Sequence, residues 1–315
     1  MKKLVAITSV LAAAGLLLAA CGGPATTAAP EPTEAPPPTE APPQDLLGQI
    51  KERGTIVVST DPNYEPQSFL NTQGQRPSDT KCASDQLTAA EMQGFDVDVA
   101  VEIGKRLGVE TCFATPSWDL ITAGSWADKW DISVGSMTIT TERQKALDFT
   151  TPYYYTPAVV AAAADAGIDS IDDLSGQAVC VGTATTYETW LGGGDMGFPA
   201  TSIYAEPPPD VTVVPLETDH DCPQAIAAGR TDFVAYVTSE TVVDANIAAG
   251  MPVVKVGSPV YSEDLAVAID KSHSLPIASL LAEVDQIVKD MHADGTLSQF
   301  STKWFEVDLT QAPNP

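Results

Sequence analysis

One short stretch, VGSMTITTER, combines the residue types that bind small anions. Ser136 and Thr138 alternate at the period of a β-strand, so their side chains point to the same face. Arg143 follows them, and its planar guanidinium suits a carboxylate through two charge-assisted hydrogen bonds. In open α/β sheets, ligands bind beyond the carboxyl ends of the strands. The stretch therefore predicts a carboxylate site at the end of a strand.

The alternative for Arg143 is a surface ion pair with Glu142 or Asp148. Positive charge is scarce, since the 315 residues contain 16 Lys+Arg and 42 Asp+Glu, for a net charge of −26. This balance argues against nucleic acid as a partner, because phosphate binding needs patches of Lys and Arg. It favours solubility and, mildly, cationic ligands.

A second candidate for anion binding lies in VCVGTATTYETW, where a strand is predicted to end and a helix to start near Thr185. The free N–H groups at a helix N-terminus attract a carboxylate. Thr185 also fits the simpler role of N-cap for this helix. The two roles are compatible.

These segments lie in a chain that alternates short β-rich runs with helical patterns, which is typical of an α/β fold. TIVVST is predicted as a buried strand, and GFDVDVAVEIGKRLG as a helix that ends at Gly108. PVVKVG and EDLAVAID are predicted as two separate strands. The globular body is long enough for two lobes.

The N-terminal region has to be excluded from fold reasoning. MKK followed by an apolar segment predicts a secretory signal peptide over residues 1–20. Its end, LAAC, resembles the lipobox of bacterial lipoproteins, which implies cleavage before Cys21 and a lipid on that sulfur. The alternatives are an ordinary signal peptide or a membrane helix. Residues 21–45 are rich in Pro, which predicts an extended tether, with a globular body beginning near Asp45.

Four further cysteines, Cys82, Cys112, Cys180 and Cys222, belong to the body. Disulfides persist in exported proteins, and four cysteines allow three pairings. A metal site is a poor alternative, because the chain contains no Cys-x-x-Cys motif and its three His are scattered.

Several motifs occur in an order that resembles the family 3 bacterial extracellular solute-binding proteins, which serve ABC transporters for polar amino acids. The resemblance extends from about Thr55 to Phe305. The segments that carry it are TDPNYEP, QGFDVDVA, SWDLITAG, DISVGSMTITTERQKALDFTTPYY, GRTDFVAYV and MHADGTLSQFSTKWF. It implies the type II periplasmic-binding-protein fold, in which two α/β lobes close on a ligand.

The resemblance also implies a division of the body. Lobe 1 comprises 46–154 plus 262–315, and lobe 2 comprises 155–261, with hinge crossings at TPYYYTP and SPVYSED. Each lobe then contains one disulfide, Cys82–Cys112 in lobe 1 and Cys180–Cys222 in lobe 2.

The family pattern assigns roles to the hydroxyl residues and the arginine. It implies that Arg143 and Thr138 hold the α-carboxylate of the ligand and that Ser136 lies near the amino group. Across the cleft, Thr186 is expected to bind the same carboxylate, with Thr185 beside it.

The remaining family positions are aromatic or acidic. Tyr64 and Trp118 match the residues that sandwich the ligand side chain, and their alternative role is core packing. Asp61 matches the site that holds basic side chains in some members, and its alternative is a solvated surface acid.

One departure concerns the amino group of the ligand. The family carries an Asp after the strand in G-R-x-D-A-x-x-x-D, but GRTDFVAYVTSE places Val237 there. Thr238, Ser239 or Glu240 are candidates to substitute for it. Otherwise the amine is held elsewhere or the ligand lacks one, because a buried ammonium without a partner is strongly unfavourable.

Two other patterns are predicted to have no catalytic role. LGGGDMG contains G-x-G-x-x-G but neither follows a strand nor opens a helix, as a dinucleotide site requires. Asp219, His220 and Asp221 precede Cys222, and the expectation is a helix capped by Asp219 rather than a metal or catalytic cluster.

The sequence, together with the family resemblance, implies a tethered lipoprotein that binds a polar amino acid, cationic ones included, or a related small carboxylate, and that docks as a monomer on an ABC permease. No cofactor, metal or enzymatic activity is expected. The alternatives are a dehydratase-like enzyme on the same fold, with Glu65 or Glu240 as general acid, and a sensor that presents the bound ligand to a membrane receptor.

Overall fold

The computed structural model describes residues 45–313 of the chain. The helices of this part are α1 Leu46–Arg53, α2 Phe95–Leu107, α3 Trp118–Thr122, α4 Thr186–Leu191, α5 Asp221–Ala227, α6 Glu240–Ala248, α7 Ala278–Ala293 and α8 Thr296–Phe305. The strands are β1 Thr55–Ser59, β2 Asn63–Tyr64, β3 Ser68–Leu70, β4 Leu87–Thr88, β5 Met92–Gln93, β6 Glu110–Ala114, β7 Ile132–Thr138, β8 Leu147–Phe149, β9 Tyr154–Ala163, β10 Ala178–Gly182, β11 Thr212–Leu216, β12 Ala235–Ser239 and β13 Val253–Asp270.

The ends of the first two long helices follow from local capping chemistry. Asp45 is the N-cap of α1, and its carboxylate accepts a hydrogen bond of 2.8 Å from the Gly48 N–H. Helix α2 ends at Gly108, which adopts the left-handed conformation at φ 76°, where glycine is favoured. The end at Gly108 matches the sequence prediction.

One ten-stranded sheet organises the molecule, with the strand order β11-β10-β12-β9-β13-β7-β1-β6-β4 and with β8 paired to β13. Strands β10 and β11 are parallel, as are β1, β6 and β7, whereas the central β9 and β13 are antiparallel. Because the parallel strands end at common edges, their following loops are gathered there.

Strand β13 corrects one prediction. PVVKVG and EDLAVAID were predicted as separate strands, but they are the two halves of one 18-residue strand. Its pairing with β9 shifts register between Val256 and Tyr261, and Gly257 within the shift has φ 65°. The irregularity bends the strand without ending it.

The buried hydrophobic residues form four clusters. Two clusters contain residues from 46–154 and 265–297, and the other two contain residues from 158–261. Strands β9 and β13 contribute to clusters of both kinds. These two strands therefore connect two separately packed bodies of apolar side chains.

Two disulfides join Cys82 to Cys112 and Cys180 to Cys222. This is the predicted pairing. The bridges span 30 and 42 residues of sequence, and loops of this length correspond to about 3–4 kcal/mol of stabilisation in the chain-entropy model.

The predicted signal peptide (1–20), the lipidation site Cys21 and all of the tether except Asp45 lie outside the described residues. Within 45–313, none of the helices has both the length and the apolar character needed to cross a membrane.

Candidate functional site

A cavity at the ends of the sheet strands contains about 440 Å³ of space free of protein atoms, including its opening to solvent. This volume is in the range of sites for small molecules. The structure places all eight predicted ligand-binding residues in its lining: Asp61, Tyr64, Trp118, Ser136, Thr138, Arg143, Thr185 and Thr186. Other lining residues, among them Gly182, Tyr187, Glu217, Asp219 and Glu263, were not predicted.

Short segments next to regular elements bring these side chains together. Ser136 and Thr138 belong to the end of β7, and Arg143 begins a turn of 3₁₀-helix after it. Thr185 is the N-cap of α4, where its hydroxyl accepts a hydrogen bond of 3.1 Å from the Glu188 N–H. The simple capping role of Thr185 is thus confirmed.

Arg143 is buried, with 9% of its surface exposed. Its guanidinium donates to the backbone oxygens of Thr138 at 3.0 Å and Ala184 at 3.2 Å. The surface alternative is wrong, because Glu142 pairs with Lys145 and Asp148 pairs with Lys271.

The guanidinium of Arg143 takes part in none of the ion pairs, with nitrogen–oxygen distances up to 4.0 Å, found within residues 45–313. Burial lowers the pKa of Arg143, whereas the charge of Glu263 raises it. A buried cation without a counterion is unfavourable unless an anion joins it. The cavity therefore presents a positive group suited to a ligand anion.

Glu263 is a cavity residue that sequence reasoning missed. Its carboxylate accepts hydrogen bonds from the hydroxyls of Thr138 and Thr186, each at 2.7 Å, and of Tyr187 at 2.8 Å. Burial raises the pKa of Glu263, and the hydroxyl donors lower it. A hydroxyl has one hydrogen to donate. The two threonine hydroxyls expected to hold a ligand carboxylate therefore donate to a carboxylate of the protein itself.

Ser136 is held by a second buried network. Its hydroxyl donates to Asp96 at 2.7 Å and lies 2.7 Å from the hydroxyl of Tyr154, and its backbone N–H donates to the hydroxyl of Tyr153. Burial raises the pKa of Asp96 to about 7, although the hydrogen bonds from the hydroxyls of Ser136 and Tyr153 lower it. Ser136 has a left-handed φ of 54°, so the network fixes a strained backbone at the cavity wall.

The predicted aromatic and acidic residues Tyr64, Trp118 and Asp61 also line the cavity. The Tyr64 hydroxyl donates to Ser239 at 3.0 Å and lies 3.1 Å from the hydroxyl of Tyr187. The guanidinium carbon of Arg143 lies 5.7 Å from the ring centre of Trp118, which is within the range of a cation–π contact. Burial raises the pKa of Asp61, although the Asn63 N–H donates to its carboxylate at 2.9 Å.

Asp219 contradicts its predicted role. The N-cap of α5 is His220, and the Asp219 carboxylate does not cap the helix. Instead it accepts a hydrogen bond of 3.1 Å from the Gly182 N–H and lines the cavity, with 8% of its surface exposed. Burial raises the pKa of Asp219 to about 8, and the charges of Asp61 and Glu263 add to the rise.

Strand β12 and Glu240 directly after it do not supply the missing acid at the cavity. Val237 is buried in β12 among apolar side chains, and it is absent from the lining, as are Thr238 and Ser239. Glu240 pairs with Lys255 at 2.7 Å, and Glu65 is exposed. Neither of the two acids expected for an enzyme therefore lies at the cavity.

The structure also shows where LGGGDMG and the Asp219–Asp221 segment lie, the two patterns predicted to have no catalytic role. LGGGDMG forms turns after α4, and the Gly197 oxygen accepts a hydrogen bond of 2.9 Å from the Thr141 N–H. In the part of the chain from 45 to 313, no group of three or more His, Cys, Asp or Glu side chains is arranged to hold a metal ion.

Comparison with known families agrees with the α/β fold of the described residues. The profile of the bacterial extracellular solute-binding proteins, family 3, matches residues 56–307. The chain belongs to this family. This solute-binding protein therefore has the two-lobed α/β fold of the periplasmic-binding-protein type II class, as the motifs predicted.

Its relatives include named amino-acid-binding proteins. The L-cystine-binding protein TcyJ of Escherichia coli K12 is 29% identical over 270 residues, which cover 85% of this chain and 89% of TcyJ. The ABC transporter arginine-binding protein 1 of the same strain is 27% identical over 219 residues, covering 68% of this chain and 82% of the relative. A solved structure of the ancestral amino acid-binding protein AncCDT-1, described as a precursor of cyclohexadienyl dehydratase, is 30% identical with a TM-score of 0.66 and covers 82% of this chain and 99% of its own.

Proposed function

We propose that this solute-binding protein binds an amino acid in the cavity and holds its carboxylate at Arg143. The observation that carries the proposal is a buried guanidinium that lines the cavity and forms no ion pair within 4.0 Å among residues 45–313. A ligand carboxylate supplies that partner with two charge-assisted hydrogen bonds. The relatives named for L-cystine and arginine support an amino acid over other small acids.

Thr138, Thr185 and Thr186 complete the carboxylate site in this proposal. All three residues line the same cavity as Arg143. Because the hydroxyls of Thr138 and Thr186 donate to Glu263, a ligand carboxylate displaces that interaction or relies on the backbone donors.

The aromatic side chains enclose the rest of the ligand. Tyr64 and Trp118 line the cavity, and their rings bury the alkyl part of an amino acid. Ser136 also lines the cavity and is held by its hydrogen bond to Asp96. Asp61 adds a carboxylate suited to a basic group.

The lobes close on the ligand as two bodies. We propose lobe 1 as 46–154 plus 262–315 and lobe 2 as 155–261, because the hydrophobic clusters divide near these positions and β9 and β13 connect them. Thr141 and Gly197, one from each proposed lobe, hydrogen bond across the boundary. Closure around a ligand is the conformational change that such a fold offers.

The protein is a lipoprotein in this proposal. Residues 1–20 serve as the signal peptide, Cys21 carries the lipid, and the Pro-rich tether holds the body away from the extracytoplasmic face of the membrane. There it docks as a monomer on the permease of an ABC importer. Relatives that are named binding proteins support transport over the dehydratase and sensor alternatives.

A thermal-shift screen of the body tests the ligand class. The panel contains the twenty standard L-amino acids, L-cystine and common organic acids. At a hundredfold excess over its dissociation constant, a bound amino acid stabilises the protein by about 2.7 kcal/mol, which raises the melting temperature by roughly 5–10 °C. A panel in which no amino acid raises the melting temperature contradicts the proposal.

The screen also separates binding from catalysis. Any amino acid or organic acid that shifts the melting temperature is incubated with the protein and recovered for mass analysis. The ligand is expected to be recovered unchanged. A dehydrated product in molar excess over the protein would identify an enzyme instead.

A further inference from the structure

Two acidic side chains face the cavity without a basic partner. Asp61 follows β1, and Asp219 precedes α5, so they come from distant parts of the chain. Neither takes part in the ion pairs with nitrogen–oxygen distances up to 4.0 Å within the described part of the protein. Of the charged lining residues, Arg143 is the one base, and Glu217 and Glu263 are further acids.

We propose that Asp219, assisted by Asp61, binds the ammonium group of the amino-acid ligand in place of the aspartate that Val237 replaces. The inference rests on the proposed function, since it assigns a residue to the cationic group of the same ligand. It identifies the ligand as a zwitterion whose carboxylate lies at Arg143 and whose cation lies at Asp219.

The position of Asp219 depends on a glycine. The Gly182 N–H donates to Oδ1 of Asp219, and a Cβ atom at residue 182 would lie 2.6 Å from that oxygen and 3.1 Å from Cγ. Real Cβ atoms essentially never approach so closely, so a side chain here would push the carboxylate away. Gly182 therefore both orients Asp219 and leaves room for it at the end of β10.

The second disulfide ties together the two segments that meet at this point. Cys180 lies in β10, close before Gly182, and Cys222 lies in α5, close after Asp219. The bond between them fixes the start of α5 against β10. The Gly182 N–H therefore orients the Asp219 carboxylate, and the absence of a side chain at Gly182 leaves space for it. The Cys180–Cys222 disulfide holds the two segments together.

The charges around Asp219 call for a cation. Asp61 and Glu263 are acidic, and the Tyr64 and Tyr187 hydroxyls that also face this region are neutral at neutral pH. His220 and Asp221, on α5 and its N-cap, lie near Asp61. A carboxylate that is 8% exposed is unfavourable when charged and unpaired, and a ligand ammonium removes that penalty.

The test is calorimetric titration of Asp219→Asn with L-arginine and L-cystine, alongside wild-type protein. The expected result is binding weakened by about 30-fold or more for whichever of the two binds wild-type protein, because the variant leaves the ammonium group without its charged partner. Gly182→Ala, which displaces Asp219 without changing the charge, is expected to weaken binding in the same direction.

The control is Asp165→Asn, which makes the same charge change at an exposed residue outside the cavity lining. It is expected to bind as wild-type protein does. Circular dichroism melts of all variants without ligand check that they fold, and folded Asp219→Asn with wild-type affinity overturns the cation site.

Ligand analogues show whether Asp219 binds the α-ammonium group or the other cationic group of the ligand. The probes are 5-guanidinopentanoate, which lacks the α-amino group of arginine, and N,N′-diacetyl-L-cystine, in which both α-amino groups are blocked. If Asp219 binds the α-ammonium, these analogues bind wild-type protein and Asp219→Asn equally weakly. If it binds the distal guanidinium, 5-guanidinopentanoate still loses affinity in Asp219→Asn.

Failure of the cation site is distinguishable from failure of the proposed function. Wild-type protein that binds neither L-arginine, nor L-cystine, nor any amino acid of the screen overturns both. Wild-type protein that binds one of the two probes, together with an unaffected Asp219→Asn, overturns the cation site alone.

Discussion

The cavity contains two regions of opposite charge that are built in different ways. The guanidinium region consists of Thr138, Arg143 and Thr186, and its arginine comes from the turn directly after β7. The carboxylate region consists of Asp61, Gly182 and Asp219, which three distant segments supply. In both, burial opposes the charged form, and neither Arg143 nor Asp219 forms an ion pair within 4.0 Å among the described residues, although the charge of Glu263 partly offsets the burial of Arg143.

The difference teaches how a binding protein in an acidic chain distinguishes the ends of a zwitterion. Arg143 is anchored by two backbone oxygens, which fix the guanidinium but do not neutralise it. Asp219 is anchored by one backbone N–H, which likewise orients the charge without cancelling it. In both regions neutral backbone groups position the side chain, so that an oppositely charged ligand group can stabilise its charged form.

The largest expected effect is the loss of the guanidinium. Arg143→Ala is expected to weaken amino-acid binding by at least about 100-fold, since the ligand carboxylate loses its charged partner. Calorimetric titration measures it, and Arg230→Ala, at an exposed arginine paired with Asp232, is the matched control. Wild-type affinity in folded Arg143→Ala would remove the guanidinium region from the binding site.

The carboxylate region is expected to make the ligand-free protein sensitive to pH. The pKa of Asp219 is about 8 in the folded protein, against an ordinary value of 3.8. Folding disfavours the ionised form of Asp219, so this group stabilises the folded protein when it is protonated. Its contribution to the free energy of unfolding is fully present below about pH 4 and is lost as the pH rises through about 8. Asp96, with a pKa of about 7, contributes in the same direction.

The variant Asp219→Asn shows how much of the loss of stability with rising pH comes from Asp219. Between pH 5 and pH 8, the melting temperature of ligand-free wild-type protein is expected to fall by more than that of Asp219→Asn. A difference of about 1 kcal/mol corresponds to roughly 2–4 °C for a protein of this size. Equal falls in the two proteins would show that Asp219 ionises without penalty.

Removal of either disulfide is expected to change ligand affinity least, and comparison of the two variants separates the carboxylate region from the rest of the fold. Replacing both Cys180 and Cys222 with Ser is expected to weaken amino-acid binding about two- to fivefold, because that bridge holds Asp219 against β10. Replacing both Cys82 and Cys112 is expected to leave affinity unchanged, because that bridge lies away from the cavity lining. Both variants are expected to lose up to about 3–4 kcal/mol of the free energy of unfolding and therefore to melt at a lower temperature.

The outcome that contradicts this comparison is equal affinity in the two disulfide variants. Titration is done well below both melting temperatures, so that unfolding does not enter the result. Equal affinities would show that Gly182 and the surrounding packing hold Asp219 without the bridge.

Local patterns predicted most of the elements and one region of the site. Gly108 marked the end of α2 correctly because helix capping depends on a few neighbouring residues. Ser136, Thr138 and Arg143 were recognised because strand period and family motif place them within one stretch. The eight predicted lining residues meet in the cavity, and their ligand roles stay predictions.

The errors occurred where a distant contact outweighs a local preference. Asp219 stands before a helix, so a capping role was the natural expectation, yet the Gly182 N–H takes its carboxylate. Glu263 lies in a strand predicted to be the second of two, and the continuous β13 brings it among the hydroxyls of Thr138 and Thr186.

The sequence by itself determined the α/β class and the place of Arg143 directly after a strand, and the order of its motifs implied, through the resemblance to the family, the family membership and the disulfide pairing. The tertiary structure alone decided that Asp219 faces the cavity and that Glu263 occupies the threonine hydroxyls. Both results depend on β10, α5 and β13 meeting in space, and on burial, which makes an unpaired charge unfavourable and so directs it toward a ligand.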